Sequence, residues 1–202
     1  MEMNSTNEEL SLSRFRKKME AFVPIPDDDF QQLAQIMHEK HFNKGDVILK
    51  EGQVCKYFYF IVSGCIRSFG LENGRDVNVK FYFEDDIACD FISFRRQEPS
   101  QFFLVAVEDC IVYCATKTEA EPIFRNTASL HLNLFRFFQE LYLKEEEHSN
   151  NLKILSPPGR YEFLLENYPQ YLQRIPLVHL ASYLGISRET LSRIRNKKGR
   201  TK

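Results

Sequence analysis

The sequence at residues 177–197 is LVHLASYLGISRETLSRIRNK, and its spacing predicts two short helices joined by a tight turn. Four small or apolar residues of the first helix recur at intervals of three and four, as on one helix face: Leu177, Leu180, Ala181 and Leu184. Gly185 follows at the turn, where glycine adopts a positive φ without steric cost. Ser187 is placed to cap the second helix with its hydroxyl. The stretch is therefore a predicted helix-turn-helix.

The outward face of the second helix carries side chains that can read base edges: Arg188, Glu189, Thr190, Ser192, Arg193 and Asn196. Arginine pairs with guanine, asparagine with adenine and glutamate with cytosine. In a DNA-binding helix-turn-helix the second helix enters the major groove. Arg195, Lys197 and Lys198 would then contact phosphates. A plain helical hairpin with a solvated polar face is the alternative, but the turn glycine and the base-reading face together favour double-stranded DNA as the partner.

The charge of the chain is concentrated at this end. The whole sequence has a net charge of only -1, yet residues 187–202 contain seven Lys or Arg and one Glu, a net charge of +6. The other 186 residues therefore carry a net charge of -7. A nearly neutral protein with one strongly basic end is suited to binding phosphate with that end alone.

Composition predicts a cytoplasmic protein with reduced thiols. No apolar run reaches 18 residues, and the N-terminus MEMNSTNEEL is polar and acidic, so we expect neither a membrane span nor a signal peptide. The five cysteines are odd in number and irregularly spaced, which argues against a disulfide framework. Cys110 and Cys114 would share one face of a strand, and buried thiols are favoured over a metal or redox site.

A region of short strands precedes the basic end. Six segments are rich in β-branched and aromatic residues: Asp46–Lys50, Lys56–Ser63, Cys65–Leu71, Asp76–Phe83, Phe102–Val107 and Ile111–Thr116. Asn73-Gly74 predicts a hairpin turn between two of them. This pattern predicts a double-sheet β-roll, or jelly roll, in an α+β protein. A jelly-roll metalloenzyme is the rival interpretation, but no histidine lies between Phe42 and Leu130, so we expect neither a metal site nor an enzyme.

Residues 120–150 have the pattern of one long helix. Four apolar residues are spaced 4, 3 and 4, as in the seam of a coiled coil: Leu130, Leu134, Phe137 and Leu141. Phe135, Phe138 and Tyr142 form a second stripe beside it. One stripe can face the β-roll and the other a second copy, and we assign the first stripe to a homodimer seam. A helix that lies only on its own domain is the alternative. The segment 156–159, SPPG, predicts a hinge after this helix.

The motif RIPLVHLASYLGISRETLSRIR, residues 174–195, resembles the CRP/FNR family of bacterial transcription regulators. The predicted roll also resembles the cyclic-nucleotide-binding β-roll of that family. The residues that carry this resemblance are Gly45, Asp46, Gly52, Tyr59, Ile61, Ser63 and Gly64. The resemblance implies a cyclic-nucleotide-binding-like sensor roll at 1–119, a dimerisation helix at 120–150 and a helix-turn-helix domain at 151–202. It also implies base contacts from Arg188, Glu189 and Arg193, with RNA polymerase as a further partner. Because Lys202 follows the second helix closely, we expect the domain to lack a full wing.

The family's effector pocket is altered in this sequence. The resemblance implies a Gly-Glu pair and, about ten residues later, an Arg followed by a small residue. The resemblance also implies that this Arg holds the cyclic phosphate. The matching positions here are Cys89, Asp90, Ser100 and Gln101, so the phosphate Arg is missing. We therefore expect cyclic AMP not to bind in the family's way, and the roll to sense another effector or none. No cysteine precedes Cys55, which argues against the iron-sulfur cluster of FNR-type relatives. A cyclic-AMP-responsive regulator and a sensor acting through protein partners remain the alternatives.

Overall fold

The computed structural model describes residues 12–199, and their side chains as far as Lys197. Eight strands within this range form two antiparallel sheets of four strands each. The strands are β1 His38–Phe42, β2 Val47–Leu49, β3 Tyr57–Ser63, β4 Ile66–Glu72, β5 Arg75–Tyr82, β6 Ile87–Ala88, β7 Phe103–Ala106 and β8 Cys110–Thr116. The first sheet has the order β1-β8-β3-β6 and the second has the order β2-β7-β4-β5. The predicted double-sheet roll is confirmed.

In the sequence, helices lie before the roll, within it between β6 and β7, and after it. They are α1 at residues 12–19, α2 Asp27–Gln35, α3 Phe91–Arg96, α4 Lys117–Asn126, α5 Ala128–Ile154, α6 Pro157–Asn167, α7 Pro169–Arg174, α8 Leu177–Tyr183 and α9 Arg188–Gly199. No helix within residues 12–199 is both long and apolar enough to span a bilayer.

The single long helix predicted at residues 120–150 is wrong at its start. Thr127 adopts an extended conformation and separates α4 from α5, so two helices replace one. The first of them begins with a capping box, in which Thr116 and Glu119 each accept a hydrogen bond from the other's backbone N–H. The second continues to Ile154, four residues beyond the predicted end.

The roll encloses one apolar core and carries a second on its outer surface. Side chains from both sheets fill the interior, including Ile61, Ile66, Leu104 and Val112, which are completely buried. On the outer face of the first sheet, residues of α1, α2, α4 and α5 pack on Phe60 and Tyr113. Cys110 and Cys114 both lie in the interior core, as their spacing predicted. Burial raises the pKa of the Cys110 thiol to about 11, which keeps it protonated.

The start of α5 belongs to this outer core, which corrects part of the predicted dimer seam. Leu130 is completely buried among residues of its own chain and cannot face a partner. Asn133 is equally buried, and its side-chain amide donates to the carbonyl of Val23 at 2.8 Å and accepts from the Val23 N–H at 3.0 Å. Leu134, Phe137 and Leu141 are half-buried and stay predicted seam residues.

A third core joins the roll to the C-terminal helices. Phe81, Phe83 and Val107 of the roll share it with residues of α6 to α9. The ring centroid of Phe81 lies 5.5 Å from that of Tyr171 and 5.3 Å from that of Tyr183, in edge-to-face contacts. The helix-turn-helix region is therefore packed against the second sheet of the roll, next to edge strand β5.

Candidate nucleic-acid interface and effector pocket

The helix-turn-helix forms as the sequence predicted, with α8, a turn at Gly185 and α9. Gly185 has a φ of +67°, a conformation that favours glycine. Arg160 braces the turn, because its guanidinium donates to the carbonyls of Leu155 at 3.0 Å and Leu184 at 2.8 Å. The hydroxyl of Ser187 accepts a hydrogen bond from the N–H of Thr190 at 3.1 Å and caps α9.

The two faces of α9 differ sharply in burial. Leu191 is completely buried against α8, whereas the side chains of Arg188, Glu189 and Arg193 are exposed. Arg195 and Lys197 are exposed on the same helix, and the side chain of Lys198 lies outside the described residues. The structure thus places the three charged residues of the predicted base-reading face, Arg188, Glu189 and Arg193, at solvent-exposed positions of one helix.

The two hydroxyl side chains of the predicted base-reading face are less accessible than its charged ones. Thr190 and Ser192 are half-buried, and the hydroxyl of Thr190 lies 3.1 Å from that of Ser187. Glu189 stays ionised, because backbone hydrogen bonding and the hydroxyl of Ser187 lower the pKa of its carboxyl group. A carboxylate at this position can accept a hydrogen bond from a cytosine amino group but repels phosphate.

Helix α8 holds α9 in place by docking on β5. The hydroxyl of Ser182 donates to the carbonyl of Asp76 at 2.7 Å and accepts from the N–H of Asn78 at 3.1 Å. These are backbone groups of an edge strand, which would otherwise need water or another strand. One serine therefore takes the place of a neighbouring strand at the point where the two regions meet.

A buried arginine reinforces the same junction from the roll. Arg67 on β4 forms an ion pair with Asp76 at 2.8 Å and donates to the side-chain oxygen of Asn78 at 3.1 Å. Its guanidinium also lies 3.3 Å from Nδ1 of His179 on α8. Burial and the nearby Arg67 both lower the pKa of His179, so this imidazole is held neutral and can accept the hydrogen bond.

Arg174, at the end of α7, makes a charged contact between the C-terminal helices and the roll. Its guanidinium contacts Glu84 at 2.6 and 2.9 Å and Glu108 at 2.6 and 3.1 Å. Burial alone would raise the pKa of Glu84, but hydrogen bonds from Arg174 and from backbone N–H groups lower it overall. The same two carboxylates raise the pKa of Arg174. A planar guanidinium can satisfy two carboxylates at once, which a lysine could not do with the same geometry.

Two of the predicted effector-pocket residues, Asp90 and Ser100, hydrogen-bond to each other and to neighbouring backbone. Asp90 caps α3, and its Oδ1 accepts hydrogen bonds from the N–H groups of Ile92 at 3.1 Å and Ser93 at 3.2 Å. The hydroxyl of Ser100 donates to Oδ2 of Asp90 at 2.7 Å and accepts from the N–H of Phe102 at 3.0 Å. Ser100 is also paired through its backbone with Gly52 and Gln53, each at 2.8 Å.

These residues do not fit a cyclic phosphate. The site presents the carboxylate of Asp90 and the buried hydroxyl of Ser100, where an anionic ligand would need a cation. Arg95 and Arg96 lie at the other end of α3, with exposed side chains, and Arg96 is 3.9 Å from Glu98. Of the other predicted pocket residues, Cys89 is only partly exposed, and Gln101 is solvent-exposed.

Comparison with known proteins agrees with this architecture. Residues 39–127 match the family described as the cyclic nucleotide-binding domain. No curated protein sequence matches the chain. Among solved structures, FixK2 from Bradyrhizobium japonicum superposes with a TM-score of 0.69 and 20% identity, over 82% of this chain and 86% of FixK2. The Thermus thermophilus catabolite activator protein superposes with a TM-score of 0.55 and 17% identity, over 91% and 87% of the two chains.

A third solved structure, from Eubacterium rectale, is assigned to the crp/fnr family and superposes with a TM-score of 0.64 and 17% identity, over 84% of this chain and 82% of that chain. The chain has the CRP/FNR fold. At these identities the likeness establishes the fold alone, so the chemistry of each site has to come from the residues present. In this chain α9 follows α8 and the Gly185 turn, and Asp90 lies within the residues that match the cyclic nucleotide-binding domain.

Sequence reasoning missed the residues that join the two regions. Ser182 and His179 lie on α8 and Arg174 ends α7, and the sequence motif predicted no contact between any of the three and the roll. The sequence signal for Arg174 was weak, since its partners Glu84 and Glu108 lie 90 and 66 residues away. Within the described residues, no group of three His, Cys, Asp or Glu side chains is arranged to hold a metal ion.

Proposed function

We propose that this protein is a sequence-specific DNA-binding transcription regulator that acts as a homodimer. The observation that carries the proposal is the exposed face of α9, on which Arg188, Glu189 and Arg193 lie together while Leu191 anchors the helix from behind. Base contacts would come from these three side chains, with Thr190 and Ser192 beside them. Phosphate contacts would come from Arg195, Lys197 and Lys198, and RNA polymerase is the expected protein partner.

The homodimer follows from how such a motif reads DNA. One short recognition helix contacts few base pairs, and two copies related by a two-fold axis read two half-sites about one helical turn apart. The exposed and half-buried aromatic residues of α5, between the roll and the helix-turn-helix, offer a surface for the second copy. The roll with α4, the helix α5 and the region from α6 onward would then be the sensor, the dimerisation element and the DNA-binding domain.

We further propose that the roll does not bind cyclic AMP in the family's way. The support is the contact between Ser100 and Asp90, which places a carboxylate and a hydroxyl at the positions where the family's pocket would hold the cyclic phosphate. The roll would then sense a different ligand or serve as a structural support. FixK2 and the regulator CLP of Xanthomonas campestris, the latter described as responsive to c-di-GMP, share the fold with this chain, so fold alone does not specify an effector.

The test is selection of bound sequences from random duplex DNA, followed by titration of the enriched sequence at several salt concentrations. We expect a two-fold symmetric site and an affinity that falls steeply with salt, because Lys and Arg displace counterions from phosphates. Failure to enrich any sequence, with or without added cell metabolites, would contradict the proposal and favour a sensor that acts through protein partners.

A further inference from the structure

One imidazole lies in the contact between the helix-turn-helix and the roll. His179 is the third residue of α8, and it is half-buried where this helix meets the second sheet. Its Nδ1 lies 3.3 Å from a guanidinium nitrogen of Arg67 on β4. Ser182, which makes the two hydrogen bonds to β5, is three residues further along α8. The imidazole and the serine that docks the helix therefore share one face of α8.

The contact between His179 and Arg67 requires a neutral imidazole. Arg67 is 8% exposed, and a guanidinium donates hydrogen bonds but cannot accept them. A neutral imidazole has one ring nitrogen that accepts, whereas a protonated imidazole has two donors and no acceptor. A proton on His179 would therefore remove the acceptor at Nδ1 and place a positive charge directly against that of Arg67.

The charges around the ring do not compensate for a proton. Among the described residues, the charged groups that act on His179 are Arg67 from β4 and Asp76 from β5, and the sequence of α8, LVHLASY, contains no Asp, Glu, Lys or Arg. Asp76 favours the protonated imidazole, but its carboxylate is already paired with Arg67 at 2.8 Å. Burial and, next, Arg67 outweigh Asp76, so the pKa of His179 is lowered from its ordinary value of 6.5.

A second histidine contacts α8 and is less suited to respond to a proton. His148 on α5 shares a hydrogen bond with the hydroxyl of Tyr183. The charged groups that act on His148 are Glu145 and Lys80, which have opposite charges and pair with each other. A hydroxyl can accept a hydrogen bond from a protonated imidazole, so a proton on His148 is compatible with this contact. A proton on His179 is not compatible with its contact to Arg67.

We propose that His179 is a pH-sensitive latch, which holds α8 on the roll while the imidazole is neutral and releases α8 from β5 when it is protonated. The inference goes beyond the proposed function, because the docking of α8 can be measured without DNA. The direction of the effect follows from the lowered pKa of docked His179. The docking free energy is fully present above about pH 6.5 and declines as the pH falls from 6.5 towards the pKa of the docked imidazole.

Release of α8 would reach the recognition helix. Leu191 of α9 is completely buried in the core that α8 shares, so the two helices are expected to move together. A two-fold DNA site requires two recognition helices at a fixed separation. A helix-turn-helix that has left the roll is less preorganised for such a site, so its specific affinity should fall on acidification. This consequence rests on the proposed function, whereas the latch itself does not.

The experiment measures amide hydrogen exchange by NMR in the full-length protein at about pH 7.5 and about pH 5.5, on either side of the ordinary pKa of histidine. The reporter is the N–H of Asn78, which donates to Ser182 and loses this partner when α8 leaves β5. The N–H of Val112, in a central strand of the first sheet, reports unfolding of the roll. We expect the protection factor of Asn78 to fall at least about threefold at the lower pH, and that of Val112 to change far less.

Two variants separate His179 from the other groups that titrate in this range. His179→Asn keeps a side-chain oxygen near the position of Nδ1 but takes up no proton, so the protection of Asn78 should become independent of pH. His131→Asn is the matched control, because it removes an exposed histidine of α5, and it should behave as the wild type. Circular dichroism during thermal unfolding checks that both variants fold. An NMR titration of the wild-type His179 ring needs no substitution, and we expect a midpoint below pH 6.5.

Several results would overturn the latch. One is a fall in the protection of Asn78 that persists in folded His179→Asn, since another group would then be the one that titrates. Others are constant protection of Asn78 in the wild type and a His179 ring that titrates at or above pH 6.5.

DNA titration at the same two pH values tests the consequence for binding. The specific affinity of the wild type should fall by more than that of His179→Asn. Equal affinities at both pH values, in a wild type whose Asn78 amide loses protection, would overturn the link to DNA binding. If no DNA binding is found at either pH while Asn78 responds as expected, the proposed function fails and the latch stands.

Discussion

The N-termini of α3 and α9 are both capped by a side chain, but they present different charges to an incoming ligand. Asp90 caps α3 and Ser187 caps α9, each by accepting backbone N–H groups of the first turn. At α3 the cap is a carboxylate, and the hydroxyl of Ser100 closes over it. At α9 the cap is neutral, and Arg188 and Arg193 extend into solvent beyond it.

This difference in charge leads us to expect different responses of the two helix N-termini to an anion. The first turn of a helix attracts anions, and an acidic cap occupies that position with the protein's own charge. Around α3 an incoming phosphate meets Asp90, whereas around α9 the single carboxylate of Glu189 is outnumbered by the Lys and Arg residues of the basic end. Anion binding is thus expected at the recognition helix and not in the roll.

The largest expected effect comes from removing one arginine at the recognition helix. Arg193→Ala should weaken binding to the selected DNA site by about 1–3 kcal/mol, since a bidentate contact to guanine is lost. Binding to unrelated duplex DNA should change far less. Fluorescence anisotropy with both duplexes measures the two losses.

The matched control for Arg193→Ala is Arg96→Ala, which removes an exposed arginine from α3. We expect Arg96→Ala to leave both affinities unchanged. Equal losses on specific and unrelated DNA in the Arg193 variant would mean that Arg193 contacts phosphate and does not read a base.

A somewhat smaller effect is expected at the link between the two regions. Arg174→Met should lower the free energy of unfolding by about 2 kcal/mol, because Glu84 and Glu108 lose their charged hydrogen bonds. Arg125→Met is the control, since Arg125 pairs with Glu121 one turn away on the solvent side of α4, and such pairs contribute less than about 0.5 kcal/mol. Urea denaturation followed by circular dichroism measures both, and equal losses would show that Arg174 does not hold the regions together.

Removing the two helix caps should have smaller effects on stability, and these effects should differ from each other. Ser187→Ala should cost about 1 kcal/mol of stability through the lost cap. Asp90→Ala should cost more, since it also removes the partner of Ser100. Denaturation gives both values, and DNA titration adds the contrast, because we expect only Ser187→Ala to weaken DNA binding. If Asp90→Ala cost less stability than Ser187→Ala, the Asp90 carboxylate would not be what holds α3 and Ser100 in place.

The smallest expected effect is a change in the free energy of unfolding at acidic pH. The folded-state pKa of Glu84 lies below its ordinary value of 4.5, so its contribution is complete above about pH 4.5 and is lost as the pH falls through the folded pKa. The difference in unfolding free energy between the wild type and Arg174→Met should therefore shrink as the pH is lowered below 4.5. A difference that stays constant over this range would contradict the ion pair.

Local patterns in the sequence were enough to predict much of this molecule. Ser187, Gly185 and the spacing of Leu180 and Leu184 predicted the helix-turn-helix, because caps, turns and amphipathic faces are encoded within a few residues. Asn73 and Gly74 predicted the β4–β5 hairpin for the same reason, and both have positive φ.

Features that depend on distant contacts were missed. Strand β1 has the sequence HEKHF, which lacks the apolar alternation of a strand and forms only by pairing with β8. Strand β6 has two residues, and α3 and α7 have six each, too few for a periodic pattern. The break at Thr127 carries no glycine or proline signal of its own, and burial of Leu130 against the roll could not be distinguished from burial against a partner.

The most direct test of the account is to titrate one preparation of the protein with its selected DNA site, in the presence and absence of cyclic AMP, and to titrate the same preparation with cyclic AMP alone by calorimetry. We predict sequence-specific, salt-sensitive DNA binding of equal affinity in both titrations, and no heat of cyclic AMP binding. DNA binding that appears only when cyclic AMP is added, together with saturable heat in the calorimeter, would contradict the proposal that Asp90 and Ser100 close the roll to this ligand.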